Sequence, residues 1–415
     1  MTSSTPRVVV TGIGCLTPVG NDLKTTWENI KAGHSGIAPI TLFDTSNLET
    51  RFGGEVKGFD PLAHFDRKEA RRLERFMQLA VVAAREAVKD SGLEINEANC
   101  ERVAVVVGSG IGGAIGLIEN THTFIAKGPK RVSPIFIPMV LIDSAAGMIA
   151  IDQQAKGPNL AIVTACATGA NAIGESAEMI KRGDADVVIA GGVEAAMFPL
   201  TFAGFNVMGA LSTRNDDPAS ACRPFDTTRD GFVMSEGAGI LILENEEHAQ
   251  ARGAKIYGVI AGYGTSADAV HFATPDADGA GLVRSMKWAL RKANLAPKEI
   301  QYINAHGTGT KLNDPTETVA IKQVFGEDAY NIPVSSTKSM LGHMLGAAGA
   351  VETIVCLMAM QDSLLPPTIH LNSPDPACDL DYVPNRARPA RLDAVMSNSM
   401  GLGGHNASVI VTRYA

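Results

Sequence analysis

Apolar positions recur along this chain in two alternating rhythms. RVVVTGIG (7–14), ERVAVVVGSG (101–110), NLAIVTA (159–165) and DVVIAGG (186–192) are short β-rich runs that close on glycine or another small residue. Continuous apolar runs of this length predict strands buried on both faces, the habit of parallel sheets. Between them, RLERFMQLAVVAAREAVKDSG (72–92) sets apolar residues at helical spacing and stops at Gly92, and ANAIGESAEMIKRG (170–183) stops at Gly183. Strand and helix alternate, which makes the fold class α/β.

The later part of the chain repeats the plan. KIYGVIAGYG (255–264) echoes RVVVTGIG, and QYINAHGTG (301–309) echoes AVVVGSG. VSSTKSMLGHMLGAAGAVETIV echoes IVTACATGANAIG, and AVMSNSMGLGG (394–404) echoes DVVIAGG. Similar segments in the same order point to duplication. Two halves, 1–254 and 255–415, are expected to pack face to face, so that corresponding loops meet. Those loops hold Cys166, His306, His343 and the glycine-rich 401–404.

Composition narrows the function. A chain of 415 residues, 45% hydrophobic, can bury a large core, and 42 glycines with 5% aromatic residues suit tight turns and close helix packing. The formal charge of −8 argues against a general nucleic-acid binder. No apolar run approaches ~18 residues. The opening MTSSTPRVVV lacks the basic and apolar regions of an export signal, so a cytoplasmic protein that does not enter a membrane is expected. Six cysteines (Cys15, Cys100, Cys166, Cys222, Cys356 and Cys378) form no CxxC pair, which argues against a zinc site or a disulfide framework.

Chemistry concentrates at the loops. Cys166 stands where a strand turns into a helix among small residues. A thiol there faces unpaired N–H groups and the positive end of the helix dipole, which favours thiolate and nucleophilic attack. The alternative is a small buried hydrophobe, the usual fate of a free cysteine. His306 in NAHGTGT and His343 in TKSMLGHMLGAAG are each, taken alone, better explained by structural hydrogen bonding; as a pair on equivalent loops beside a cysteine they point to acyl transfer or carbon–carbon chemistry on a thioester. Neither has a ligand at the spacing a metal would need.

TACATGANAIG, NAHGTGTKLND, SSTKSMLGHMLGAAGAVE and NSMGLGGHN, in this order, resemble the β-ketoacyl-acyl carrier protein synthases of type II fatty-acid synthesis, nearest the elongating branch. The resemblance spans essentially the whole chain. It implies a thiolase-like fold, duplicated βαβ halves in an αβαβα five-layer arrangement, and a homodimer. It also implies that Cys166 takes an acyl group from acyl carrier protein. His306 and His343 would bind the thioester oxygen of malonyl-carrier during decarboxylation, and the N–H groups of Cys166 and Leu402 would form the oxyanion hole. Lys338 matches an active-site lysine with Glu352 as its ion-pair partner, and Asp314 matches a supporting position. Thr308 and Thr310 match threonines that bind the pantetheine arm, though turn chemistry explains them equally well from sequence. Ile111, in GSGIGG, matches the floor of the acyl pocket, and Phe136 a pocket residue contributed across the dimer. No cofactor of its own is implied, because 4′-phosphopantetheine arrives on the carrier.

DRKEARRLER (66–75) sets Arg67, Lys68, Arg71, Arg72 and Arg75 along one helical face, a basic patch suited to an acidic carrier, with Lys68, Arg71 and Arg72 the docking candidates. Several positions depart from the family pattern: Met400 and Leu402 replace phenylalanines, His405 replaces a threonine, and Ala273 and Gly209 stand where a threonine and a basic residue are common. A ketosynthase of a polyketide or specialised-lipid pathway is the alternative within this chemistry. A thiolase relative would need a second catalytic cysteine or a Cys-His-Asn set, and a non-catalytic partner subunit would lack Cys166.

Overall fold

The computed structural model describes residues 6–414; the export-signal expectation rests partly on MTSST, which lies outside the described residues. The first half contributes strands β1 (Val8–Leu16), β2 (Val103–Gly108), β3 (Asn159–Leu160), β4 (Val187–Glu194) and β5 (Gly237–Asn245). The second contributes β6 (Gly258–Ala267), β7 (Tyr302–Asn304), β8 (Val334–Ser335), β9 (Ala394–Gly401) and β10 (His405–Thr412). The order across the sheet is β8-β7-β9-β10-β6-β1-β5-β4-β2-β3. Each half therefore shows the same order, first strand, fifth, fourth, second and third, outward from a shared middle.

The halves join edge to edge through two antiparallel pairs, Val9↔Val259 and Val10↔Gly258. That junction adds to the expected face-to-face packing. Helices α1 (Arg75–Ser91), α2 (Ala114–Lys127), α3 (Thr168–Arg182), α4 (Ala280–Ala293), α5 (Asn313–Phe325) and α6 (Ala348–Asp362) complete the layers. α1 covers the first half outside, α4 and α5 cover the second, and α3 and α6 pack against each other between them.

Small residues make these layers possible. A Cβ on Gly12 or Gly14 of β1 would sit 2.2 or 2.1 Å from the carbonyls of Ala87 and Ala83 in α1, and one on Gly262 or Gly264 of β6 would meet Ala289 and Ser285 of α4 at 2.3 and 2.0 Å. The glycines of TGIG and GYG are thus the same device used twice. Between the halves, Gly169 abuts Ala350 and Gly349 abuts Ala170, so at these points α3 and α6 cross with nothing larger than a methyl group from either helix between them.

Some expectations need correction. β1 is fully buried but runs antiparallel to β5 and β6; of the four runs named first, only β2, β3 and β4 pair in parallel. NLAIVTA forms a strand only at Asn159–Leu160, and it is an exposed edge rather than a buried strand. The stretch Leu345–Asp362 is long and apolar enough to cross a bilayer, contrary to the expectation of no such run, but 83% of it is buried. It supplies α6, most of whose residues are buried within the protein.

Candidate active site

Cys166 lies on a tight turn just before α3, and Gly346 occupies the same place before α6. Ala165 and Leu345, one residue earlier in each, take the left-handed conformation (φ 50° and 44°), which turns the chain sharply into a helix of fifteen residues in both halves. The strained turn aims the Cys166 side chain away from the sheet, into a cleft of about 450 Å³. His306, His343, Thr308, Thr310 and Leu402 line the same cleft.

Cys166 is buried, 8% exposed. Burial pushes it up to about 11, while the backbone N–H of Leu402, the charge of Lys338 and the residue's own N–H pull the other way. Thiolate at rest was the expectation from the helix dipole; desolvation outweighs it. Two N–H groups nonetheless converge beside the sulfur, the arrangement an oxyanion requires.

The imidazoles meet edge to face, with centroids 5.3 Å apart. Burial and Lys338 hold both well below the ordinary histidine range, so both are neutral at pH 7. Lys338 Nζ donates to the His306 carbonyl (2.6 Å) and to Glu352 (2.5 Å), and lies 3.4 Å from His306 Nδ1. Nζ donates to its neighbours, so the Nδ1 it faces is the acceptor and Nε2 is left as the N–H donor. Burial lifts the Glu352 carboxyl to about 7 against the pull of Lys338. The backbone of His343 is held by bonds to Val233 (2.7 Å) and from Ser235 (3.0 Å).

Thr308 and Thr310 share a hydroxyl contact of 3.1 Å in the cleft wall. Asp314 lies in the first turn of α5, where it accepts the N–H groups of Phe225 (2.8 Å) and Gly309 (3.1 Å). Leu402 is 38% exposed at the tip between β9 and β10, so it is no core residue, and Met400 is buried behind it. Its loop is tied to the segment 268–275 by Gly403 N–H to Phe272 O and Asp268 N–H to Gly404 O, both 2.8 Å.

Other expected residues fall outside the cleft lining. Ile111 packs in the apolar cluster that contains Cys166, Phe198, Phe202 and Leu345, behind the thiol. Phe136 begins a short helix, half-buried and away from the cleft of its own chain. The basic stretch is not one helical face: a helix over Arg67–Ala70 ends at Arg71, a turn follows, and α1 starts at Arg75. Lys68, Arg71 and Arg72 are exposed, whereas Arg75 is drawn inward by Glu236 at 2.6 Å.

Two carboxylates escaped the sequence reading. Glu317 accepts the N–H groups of His306 and Gly307, both at 2.8 Å. Asp314 and Glu317 stand one turn apart just after HGTGT, a signal that the spacing DPTE carried. Glu194 ends β4 fully buried, and nothing near it in sequence marks it. Asn304 Oδ1, Ser397 Oγ and Glu352 Oε2 are buried with no hydrogen-bond partner among the described residues, and Asn304 and Ser397 are register partners in β7 and β9. Water or a hard cation would satisfy such oxygens. Among the described residues, no three His, Cys, Asp or Glu side chains group as metal ligands.

A family model described as "Beta-ketoacyl synthase, N-terminal domain" matches residues 5–249, and the corresponding C-terminal domain model matches residues 257–372. Curated relatives named 3-oxoacyl-[acyl-carrier-protein] synthase 2 include one from Synechocystis sp., 52% identical over 408 residues and 98% of each chain. Another, from Staphylococcus aureus (strain COL), is 53% identical over 413 residues and 99% of each chain. Among solved structures, a β-ketoacyl synthase from Burkholderia phymatum superposes with a TM-score of 0.92 at 36% identity, covering 99% of this chain and 100% of that one. A type II polyketide ketosynthase, in complex with its acyl-carrier protein and bound to the hexaketide, superposes at 0.91 with 34% identity and the same coverage. A duplicated fold that brings a cysteine and two neutral histidines into one cleft, matched by both domain models and by these near full-length relatives, places the chain in the β-ketoacyl synthase family.

Proposed function

We propose that this protein is an elongating β-ketoacyl-acyl carrier protein synthase, joining an acyl group held on Cys166 to the two-carbon unit of malonyl-carrier. The observation that carries the reading is the convergence, in one cleft, of a buried thiol, two N–H donors beside it and two neutral imidazoles. The division at residue 254 separates a half bearing the nucleophile from a half bearing the histidines.

Cys166 sulfur attacks the thioester carbon of acyl-carrier. The carbon–sulfur bond to the carrier breaks, and the thiol proton leaves with the carrier thiol. Malonyl-carrier then enters past Thr308 and Thr310. Its carbon–carboxylate bond breaks, CO₂ departs, and the electron pair becomes an enolate whose oxygen accepts hydrogen bonds from His306 and His343. Neutral imidazoles suit this step because they donate without taking a proton that decarboxylation does not release. The enolate carbon attacks the acyl carbonyl on Cys166, the oxyanion rests on the N–H groups of Cys166 and Leu402, and collapse expels the sulfur. Cys166 takes up the one proton that the overall reaction consumes. The 3-oxoacyl-carrier leaves two carbons longer.

Lys338 and Glu352 hold the His306 loop. Lys68, Arg71 and Arg72 offer charge to an acidic carrier. The functional unit is a homodimer: Leu160 and Val163 at the free edge of β3, with Ile137, Leu141 and Ile151 on neighbouring elements, are exposed apolar residues that a partner chain would cover.

Mass spectrometry after incubation with acyl-acyl carrier protein tests the reading. A mass increase of one acyl group on wild type and none on Cys166→Ala is expected; no adduct on wild type overturns it. Adding malonyl-carrier should release a product two carbons longer, and repeated unreduced extension would instead mark a polyketide ketosynthase.

A further inference from the structure

From the arrangement around Glu194 we infer that this carboxylate is a positioning residue, one that sets the acyl-chain selectivity of the condensing site by locking Ile111, in the apolar cluster behind the thiol, to the second-half turn. The inference rests on the condensing function proposed above.

Glu194 ends β4 with no exposed surface. Its Oε1 accepts from Ser109 Oγ (2.8 Å) and Ile111 N (3.2 Å), and its Oε2 from Gly110 N (2.9 Å) and Gly346 N (3.0 Å). All four partners are donors, and three are backbone N–H groups that nothing else satisfies. Burial raises the Glu194 carboxyl, and its four donors pull the other way; four donors around two oxygens suit the ionised form, which supplies acceptors only. A neutral amide of the same shape would turn an NH₂ group toward N–H groups that have nowhere to go.

These donors belong to segments with separate tasks. Ile111 packs in the apolar cluster behind Cys166. Gly346 follows His343 and Leu345, two residues of the cleft wall. The segments are also in contact, since a Cβ on Gly346 would stand 2.6 Å from Gly110 N. Ala165, beside the nucleophile, flanks Gly110.

The duplication explains why a charge sits there. Gly346 is the second-half counterpart of Cys166, so its N–H corresponds to the one that faces the oxyanion in the first half. In the second half that N–H is taken by the chain's own carboxylate. At the first-half turn, the corresponding strand end is Gly401, which has no side chain and leaves the Cys166 N–H clear. One turn is kept open for substrate, and the other is filled permanently and used as an anchor.

The deciding measurement is the rate of Cys166 acylation by acyl-carriers from four to sixteen carbons, in the full-length protein, with thermal unfolding recorded alongside. Glu194→Gln keeps the volume and removes the charge. The kcat/KM ratio of long to short chains is expected to change by about tenfold, the scale of one charge-assisted hydrogen bond. A uniform fall across all chain lengths, or no change, overturns the assignment, because a purely structural role would not move the ratio. If Glu194→Gln does not unfold cooperatively, Ser109→Ala decides. It removes one donor from the same cluster, and should move the ratio in the same direction by a smaller factor; an unmoved ratio overturns the proposal. Failure of the condensing reading itself would show separately, as no acylation of wild type at any length.

Discussion

Cys166 combines an exposed task with a buried setting. With the thiol pushed up to about 11, only a small fraction is thiolate at neutral pH, and reactivity must come from the N–H groups that receive the displaced charge. Alkylation by iodoacetamide in the absence of substrate should therefore rise about tenfold per pH unit through pH 9, following the thiolate fraction. A plateau below pH 8 would show that the thiolate already exists at rest. Leu402 poses a second question at this scale. Its side chain stands exposed at the cleft mouth while its N–H faces the sulfur, so side chain and backbone can be separated by mutation. Leu402→Phe adds a flat ring at the malonyl side. Decarboxylation of malonyl-carrier without an acyl primer is expected to be measurable in wild type and to fall in this variant, with coupled condensation changing less. Equal uncoupled rates in two folded proteins would remove Leu402 from control of malonyl entry.

Elements matter here mainly through their ends. α5 begins with Asp314 and Glu317, both turned back onto the loop that carries His306, so the helix holds a histidine it does not contain. Glu317→Gln leaves one of two buried N–H groups facing an amide NH₂, at a cost of ~1–3 kcal/mol. If that cost falls on the decarboxylation step, the rate drops by roughly 5- to 150-fold, while acylation of Cys166 is retained. Equal losses in both half-reactions would mean that Glu317 supports the fold as a whole. The basic stretch belongs to the same scale. Because it breaks into a short helix and a turn, its charges splay instead of forming a stripe, and Arg75 is taken up by Glu236. The triple variant of Lys68, Arg71 and Arg72 to Glu should raise KM for acyl-carrier and flatten its salt dependence, leaving acyl-coenzyme A surrogates almost unaffected. An unchanged KM across a salt series would clear these residues of any role in docking.

At the scale of the whole molecule, the exposed edge at Asn159–Leu160 and the exposed apolar residues near it are the face that the proposed homodimer would cover. Sedimentation should find a dimer at micromolar concentration, and Leu160→Lys should shift it toward monomer, since a charge on an edge strand opposes pairing. A wild-type monomer would refute the assembly. Much of this architecture was legible in the chain. The two rhythms of apolar residues, the glycine pairs in TGIG and GYG and the repeated order of segments determined an α/β fold built twice, because periodicity and close approach are local properties. Cys166, His306 and His343 could be picked out as candidates because each lies in a short local motif, and it was the resemblance of those motifs to the β-ketoacyl synthases that proposed a role for each. Strand direction could not be read, since a run such as RVVVTGIG is fully buried whether its neighbours run parallel or antiparallel. The state of the thiol also lay beyond the sequence, because desolvation is a property of everything packed around it. Glu194 and Glu317 belong with these: a carboxylate becomes an anchor only when distant backbone N–H groups fold onto it, and only the tertiary structure brings Gly346 to Gly110.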